Sequence, residues 1–429
     1  MNTILRCLAL AAAALLSACG GGSLSIEQGH LRLVNATSDF ASLDLFAAGN
    51  PVVTGVAPLT ASGYGDLDRN SYSLDVRATG SGVALVTTST TIARKEHQTV
   101  VASTSGGTLT ATVLSDEEGD PSSGNAKLRV FNTAASDAGN VDVYLVAGSC
   151  DTLATSGAAP VASNVSGLQS GYTQIGSSAT AYHVCVTAPG DKTDLRLDLP
   201  SLVLSEKRIV TLILVRGAGG FLLNGLVLDQ QGALAATQNT SARMRVAASL
   251  SPARAVAVDV NGTTVAAALG TPGVTPYRLV PAGALTVKVD GTVVALPAAA
   301  SATPGGDFTL LLTGPTPTAT LIADDNTASA SATRPVRLRL VNGLNGVPGT
   351  VSLSVNNGIV ADSVPFAGAS AYTLQPASAA LATIEADAGT VVLAKLSGVT
   401  LTAGGVYTLF VLGDYSPATS NSGLLSADR

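Results

Sequence analysis

The chain has 429 residues, of which 12% are charged and 4% aromatic, with no tryptophan and a net charge of −6. That length exceeds one ordinary core and calls for three or four domains, and 46% hydrophobic residues are enough to build them, which excludes a disordered chain. The acidic balance comes without any basic block, which argues against a nucleic-acid partner.

The N-terminus has the parts of an export signal. Arg6 precedes an apolar run from Cys7 to Leu15, too short for the roughly 20 residues that span a bilayer. Leu16-Ser17-Ala18-Cys19 follows, with small residues before a cysteine. This tetrapeptide resembles the bacterial lipobox. The resemblance implies a signal peptide over residues 1–18, lipid attachment at Cys19 and cleavage before it. An ordinary secretory signal cut near Ala18 is the alternative. Residues 19–28, with Gly20-Gly21-Gly22-Ser23, read as a flexible tether. The expected first partner is therefore a membrane, reached through lipid on Cys19. Gly20 stands where such lipoproteins carry Asp when retained at the inner membrane, so the resemblance implies the outer membrane of the cell envelope.

Beyond the tether the chain repeats itself. Leu31-Arg32-Leu33-Val34-Asn35, Leu128-Arg129-Val130-Phe131-Asn132, Met244-Arg245-Val246-Ala247 and Leu338-Arg339-Leu340-Val341-Asn342 open four segments, each about 100 residues long, the size of one β-sandwich. Their alternation is that of a half-buried strand. A second strand follows in each: Leu43-Asp44-Leu45-Phe46, Val141-Asp142-Val143-Tyr144, Val256-Ala257-Val258-Asp259-Val260 and Val351-Ser352-Leu353-Ser354-Val355. A tyrosine comes next, at 64, 172, 277 and 372, and a late apolar strand such as Tyr407-Thr408-Leu409-Phe410-Val411 closes the pattern. About four antiparallel β-sandwich repeats are expected, over residues 29–119, 126–232, 240–326 and 334–429. The polar joints between them are expected to bend.

The opening strands, together with Ser136-Asp137-Ala138-Gly139-Asn140-Val141-Asp142-Val143-Tyr144 and Gly404-Gly405-Val406-Tyr407-Thr408-Leu409, resemble the domain-of-unknown-function family 4397. The resemblance implies tandem Ig-like or transthyretin-like all-β domains of a bacterial envelope lipoprotein. The third and fourth repeats depart from it at Pro252-Ala253-Arg254 and at Ser352. The family brings no catalytic residues.

Residues able to do chemistry are few. Once Cys7 leaves with the signal and Cys19 takes lipid, Cys150 and Cys185 remain. An even pair in an oxidising compartment reads as a disulfide, whose closure contributes roughly 4 kcal/mol on the chain-entropy model. Metal binding is the alternative, but His30, His97 and His183 show no ligand-like spacing. His97 reads as part of a solvated turn and His183 as a sandwich-face residue. Gly217-Ala218-Gly219-Gly220 lacks the lysine of a phosphate loop and reads as a hairpin turn. Asp116-Glu117-Glu118-Gly119-Asp120 and Asp324-Asp325-Asn326 end two repeats. They read as solvated linkers, with an interdomain calcium site as the alternative. Asp44, Asp142 and Asp259 are expected on the exposed face of the second strand. The four tyrosines are expected to close the core edge or to bond a backbone carbonyl.

No catalytic, cofactor-binding or metal residue is expected. The function expected is a non-enzymatic, lipid-anchored envelope array, structural, adhesive or for assembly, with an envelope protein as partner. A glycan- or small-molecule-binding lipoprotein is the alternative, and the missing tryptophan weakens the glycan option.

Overall fold

The computed structural model describes residues 28–105, 108–297, 300–327, 334–416 and 422–429. The expected signal peptide, the lipid site at Cys19 and the Gly20–Ser23 tether lie outside the described residues.

Four units follow one another, each a sandwich of two sheets. In the first, the opening strand Gln28–Asn35 pairs in parallel with His97–Ser105, which pairs with Thr108–Ser115. The short strands Thr60–Ala61 and Gly65–Asp68 flank the opening strand on its other side. The facing sheet runs Asn50–Val56, Leu43–Ala47, Asn70–Ala78 and Ala84–Ile92, all antiparallel. The opening strand and a late strand are parallel in the other three units as well. A parallel pair needs a long crossover, and the facing sheet supplies it. Each unit has its own core; in the first, Leu31, Leu33, Leu45, Leu74, Val76 and Val100 fill the space between the sheets. The chain is thus a tandem array of all-β sandwiches.

The second unit differs in one place. Its strands Val141–Val146 and Ala162–Val165 are joined by a long loop carrying a 3₁₀ turn, Cys150–Thr155. In the other units the equivalent strands meet through tight turns, at Ala48-Gly49, Asn261-Gly262 and Asn356-Asn357. This insertion lengthens the second repeat.

The joints do not leave the units free to bend, as their polar sequences had suggested. In each opening strand alternate residues point away from the core, and that outer face is covered by a neighbouring unit, one with two and three with four. Val34, Val101 and Leu114 of unit one meet Phe131, Ile213 and Leu228 of unit two. Ala247 and Leu311 of unit three meet Val341, Phe410 and Leu412 of unit four. Both faces of these sheets are buried, which ordinarily requires near-continuous apolar strands. Units two and three also touch. Gly219 N donates to Gly305 O at 3.0 Å, and Asn326 N donates to Gly219 O at 3.0 Å. The Phe221 ring is held between the guanidinium groups of Arg196 and Arg243, at 4.1 and 3.7 Å.

Candidate functional site

The opening strands put one arginine per unit into the covered faces. Arg32, Arg129, Arg245 and Arg339 are 1–5% exposed. A buried guanidinium must satisfy its N–H groups, and the surroundings are built for that. Each Nε donates to a threonine on the late strand: Arg32 to Thr99 at 2.7 Å, Arg129 to Thr211 at 2.8 Å, Arg245 to Thr309 at 2.8 Å and Arg339 to Thr408 at 3.0 Å. The outer nitrogens then cross the seam. Arg245 of unit three ion-pairs with Asp428 of unit four, and Arg339 of unit four ion-pairs with Asp324 of unit three. This exchange has the reciprocity of a two-fold contact.

The first seam follows the same plan with one change. Arg339 Nη1 donates to Ala323 O at 3.1 Å, and Arg129 Nη2 donates to Ser115 O, also at 3.1 Å. Arg32 reaches across to Gly232 O at 2.5 Å and to Asp229 O at 3.2 Å. It also pairs with Asp116 of its own unit at 3.2 Å. Counting along the strand pairs, Gln230 stands where the other units have Asp116, Asp324 and Asp428. Its amide exchanges hydrogen bonds with Glu118, donating to O at 2.8 Å and accepting from N at 3.0 Å. Arg32, the counterpart of Arg245, therefore finds carbonyl groups across the seam where Arg245 finds the carboxylate of Asp428.

The repeated tyrosines belong to these networks. Tyr64 Oη donates to Asp116 and Tyr277 Oη to Asp324, each at 2.6 Å, so these two bond a carboxylate and not the backbone carbonyl that was one of their two expected roles. Arg32 lies over Tyr64 at 4.6 Å, Arg129 over Tyr172 at 4.7 Å, Arg245 over Tyr277 at 4.6 Å and Arg339 over Tyr372 at 4.5 Å. Burial, seconded by the neighbouring aspartates, pushes the Tyr64 and Tyr277 phenols well above the usual range, and burial does the same for Tyr372. The acidic clusters at the repeat ends are thus only partly solvated: Asp116 and Asp324 are buried, and Glu117, Asp120 and Asp325 are exposed. Besides Asp116 and Asp324, Glu117 binds His97, Glu118 binds Lys127 and Asp325 binds Arg337. Protein cations and donors hold the carboxylates that a calcium ion would need.

The strand aspartates are also placed differently. Asp44 and Asp142 are each 6% exposed, not on a wet face. Asp44 accepts from Gly55 N and Thr79 Oγ1 at 2.7 Å, and Asp142 accepts from Asn164 N at 2.7 Å and Gly190 N at 2.9 Å. These bonds pin the shift in register of the edge strand. Asp259 is not their counterpart. The pairing of Val258 with Val289 aligns Ala257 with Asp44, and half-buried Asp259 takes a bond from Thr264. In unit four the polarity reverses, Ser352 Oγ donating to Asp362 at 2.6 Å.

A second cluster is peculiar to unit two. Cys150 and Cys185 form the expected disulfide, which ties the 3₁₀ turn onto the outer face of the strand Ser178–Ala188. Cys185 pairs in register with Tyr144 on one side and Asp198 on the other. His183, two residues earlier, shares that face; its Nδ1 lies 3.2 Å from Asp198 Oδ1. Cys150 Sγ lies 3.3 Å from the same oxygen. Among the described residues, Cys150, His183 and Asp198 form the one group of three whose ligand atoms all fall within 4.8 Å.

In unit one, His30 and His97 stack at 4.4 Å, each with its Nδ1 on a carboxylate, Asp66 at 2.8 Å and Glu117 at 2.9 Å. His97 therefore begins a strand and sits in a contact, not in a solvated turn. Gly217 to Gly220 is a hairpin turn, as expected, and also the docking point on unit three. A Cβ on Gly217 would come within 2.7 Å of Gly305 O. Where units one, two and three meet, a cavity of about 400 Å³ is lined by Thr37, Asp39, Thr104, Arg216, Asn224 and Thr303, among others. Thr104 Oγ1 is buried there with no hydrogen-bond partner.

Arg32, Arg129, Arg245 and Arg339 were visible in the sequence only as part of the opening pattern. The signal that identifies them is the recurrence of one arginine and one threonine at matched places in all four units, with a terminal aspartate in three of them and Gln230 in unit two. Comparison with known proteins agrees with the repeat. The family model described as Domain of unknown function (DUF4397) matches residues 29–144 and 242–348. No curated protein matches. A solved chain described as the Bacillus anthracis TIE protein aligns over 92% of this chain and 68% of its own length. Its identity is 10% and its TM-score 0.14, too low to carry fold or function.

Proposed function

This chain belongs to the family Domain of unknown function (DUF4397), whose model covers just over half of it, and from that premise we propose a non-enzymatic structural role in the bacterial cell envelope. The protein is a stiff spacer held to the outer membrane by lipid on Cys19, and its units serve adhesion or assembly with another envelope protein. The observation that supports this reading is the pair of arginine seams. Four small sandwiches joined by loose linkers would transmit neither position nor force. Sandwiches whose facing sheets share an apolar patch and buried arginines bonded across the seam, to aspartates in one and to carbonyl groups in the other, hold their relative orientation.

Metabolic labelling with palmitate tests the anchor. Wild-type protein incorporates label and Cys19→Ser does not; equal labelling of both overturns the assignment. Cross-linking in intact cells tests the assembly role, and the absence of any reproducible protein adduct counts against it. A second reading, binding of a small polar molecule, is favoured by the cavity at the three-unit junction with its unpartnered Thr104 hydroxyl. Saturable binding on a glycan array would move the assignment to that reading.

A further inference from the structure

The insertion in unit two brings together groups that no other unit has. Cys150, Cys185, His183 and Asp198 sit on the outer face of one sheet, away from the unit's core. The two sulfurs are buried, while His183 and Asp198 are 26% and 19% exposed at their side chains. The cluster thus has a sheltered sulfur end and an end open to solvent. We infer that the Cys150–Cys185 disulfide is the oxidised, closed form of a four-donor site for a thiophilic divalent cation such as zinc.

The donor set and spacing support this. Two thiolates, an imidazole and a carboxylate are the ligands zinc takes in tetrahedral sites, with bonds of about 2.0–2.3 Å. A tetrahedron with such bonds has donor-to-donor edges of roughly 3.3–3.8 Å. The edge from His183 Nδ1 to Asp198 is 3.2 Å and that from Cys150 Sγ to Asp198 is 3.3 Å, near that range before any metal enters. The sulfur–sulfur edge has to open from a covalent bond to a ligand edge, and Cys185, which stands outside the close group of Cys150, His183 and Asp198, has to swing in to complete the set. The segment that must yield is the 3₁₀ turn Cys150–Thr155, most of whose residues are exposed and whose buried Leu153 packs with Tyr144 and Cys185 in a small cluster flanked by Val146, Ala158 and Leu195.

Opening the site takes two electrons and two protons. A dithiol supplies both by thiol–disulfide exchange: it leaves as its own disulfide, and its protons end on Cys150 and Cys185. The cation then displaces those two protons to solvent as the thiolates bind. Asp198 has two roles in turn. It holds His183 while the disulfide is closed, and it becomes a ligand or an orienting partner once the metal is bound.

The test uses the full chain, purified in detergent and reduced with a phosphine. The phosphine takes oxygen from water and leaves as the phosphine oxide, and it binds the metal far more weakly than a chelating dithiol. Cadmium is then titrated in as a spectroscopic probe. The reduced protein is expected to keep its far-UV circular dichroism and to develop a thiolate-to-cadmium charge-transfer band that saturates at one equivalent. The oxidised protein is expected to show no band. His183→Ala and Asp198→Asn, which leave both cysteines in place, are each expected to weaken binding roughly tenfold or more. The proposal is overturned if the reduced protein shows no saturable band, if it loses its β signal, or if both variants bind as wild type does.

Discussion

A buried arginine without a partner is among the least tolerable side chains in a protein interior. Four of them at matched places therefore explain much of the residue pattern around them. Thr99, Thr211, Thr309 and Thr408 accept the Nε–H hydrogen bond, and Asp116, Asp324 and Asp428 balance the charge. Of the tyrosines beneath them, Tyr64 and Tyr277 are neutral donors, and burial together with the adjacent carboxylates keeps them so. Their folded-state values lie above the free-phenol value of about 10. The associated stability is therefore complete below that pH and is lost as pH rises through the folded values. In an alkaline titration, Tyr64, Tyr277 and Tyr372 should stay protonated past about pH 11, and their phenolate absorbance should appear together with loss of the β circular dichroism. Ionisation of all nine tyrosines in an intact fold would contradict this. The arginines stood in plain view in Leu31-Arg32-Leu33 and its repeats. Their burial did not, because alternation tells which face is opposite the core and not whether another unit covers it.

The strands, their order and the core-facing residues were legible from period and repetition. Register was less so. Asp259 resembles Asp44 and Asp142 because all three lie between apolar neighbours, yet the cross-strand partners align Ala257 with them. Only pairing reveals that two-residue offset, and a shift by two keeps a side chain on the same face. The disulfide was legible by counting cysteines. The approach of Asp198 to His183 was not, because it depends on an irregular hairpin whose register shifts several times between Ser178 and Leu204. The turn Gly217–Gly220 shows how composition can be read correctly and still incompletely. Its glycines serve a hairpin and also allow Gly305, Asp307 and Thr327 to pack within side-chain range. Gly219→Val should leave unit two folded while separating units two and three. Limited proteolysis should then cleave between residues 229 and 241 sooner than in wild type; an unchanged cleavage pattern would show that the close approach does not hold the units together.

Across the whole molecule, internal duplication appears at two levels. Each unit repeats one sandwich, and each pair of units repeats one seam, with the reciprocal Arg–Asp exchange complete between units three and four and altered by Gln230 between units one and two. The polar joints connect units whose orientation is set elsewhere, by sheet faces and by the glycine turn. The seams make the array one body. The most direct test of this is the distance distribution between spin labels at two exposed positions, Val83 in unit one and Ile359 in unit four, each changed to cysteine in the full chain. We predict one narrow distance in the wild-type background. Arg245→Ala, which leaves Asp428 buried without its partner at a cost of about 3–5 kcal/mol, should broaden it. A broad distribution in the wild-type background, unaltered by Arg245→Ala, would contradict the account and return the chain to four beads on flexible joints.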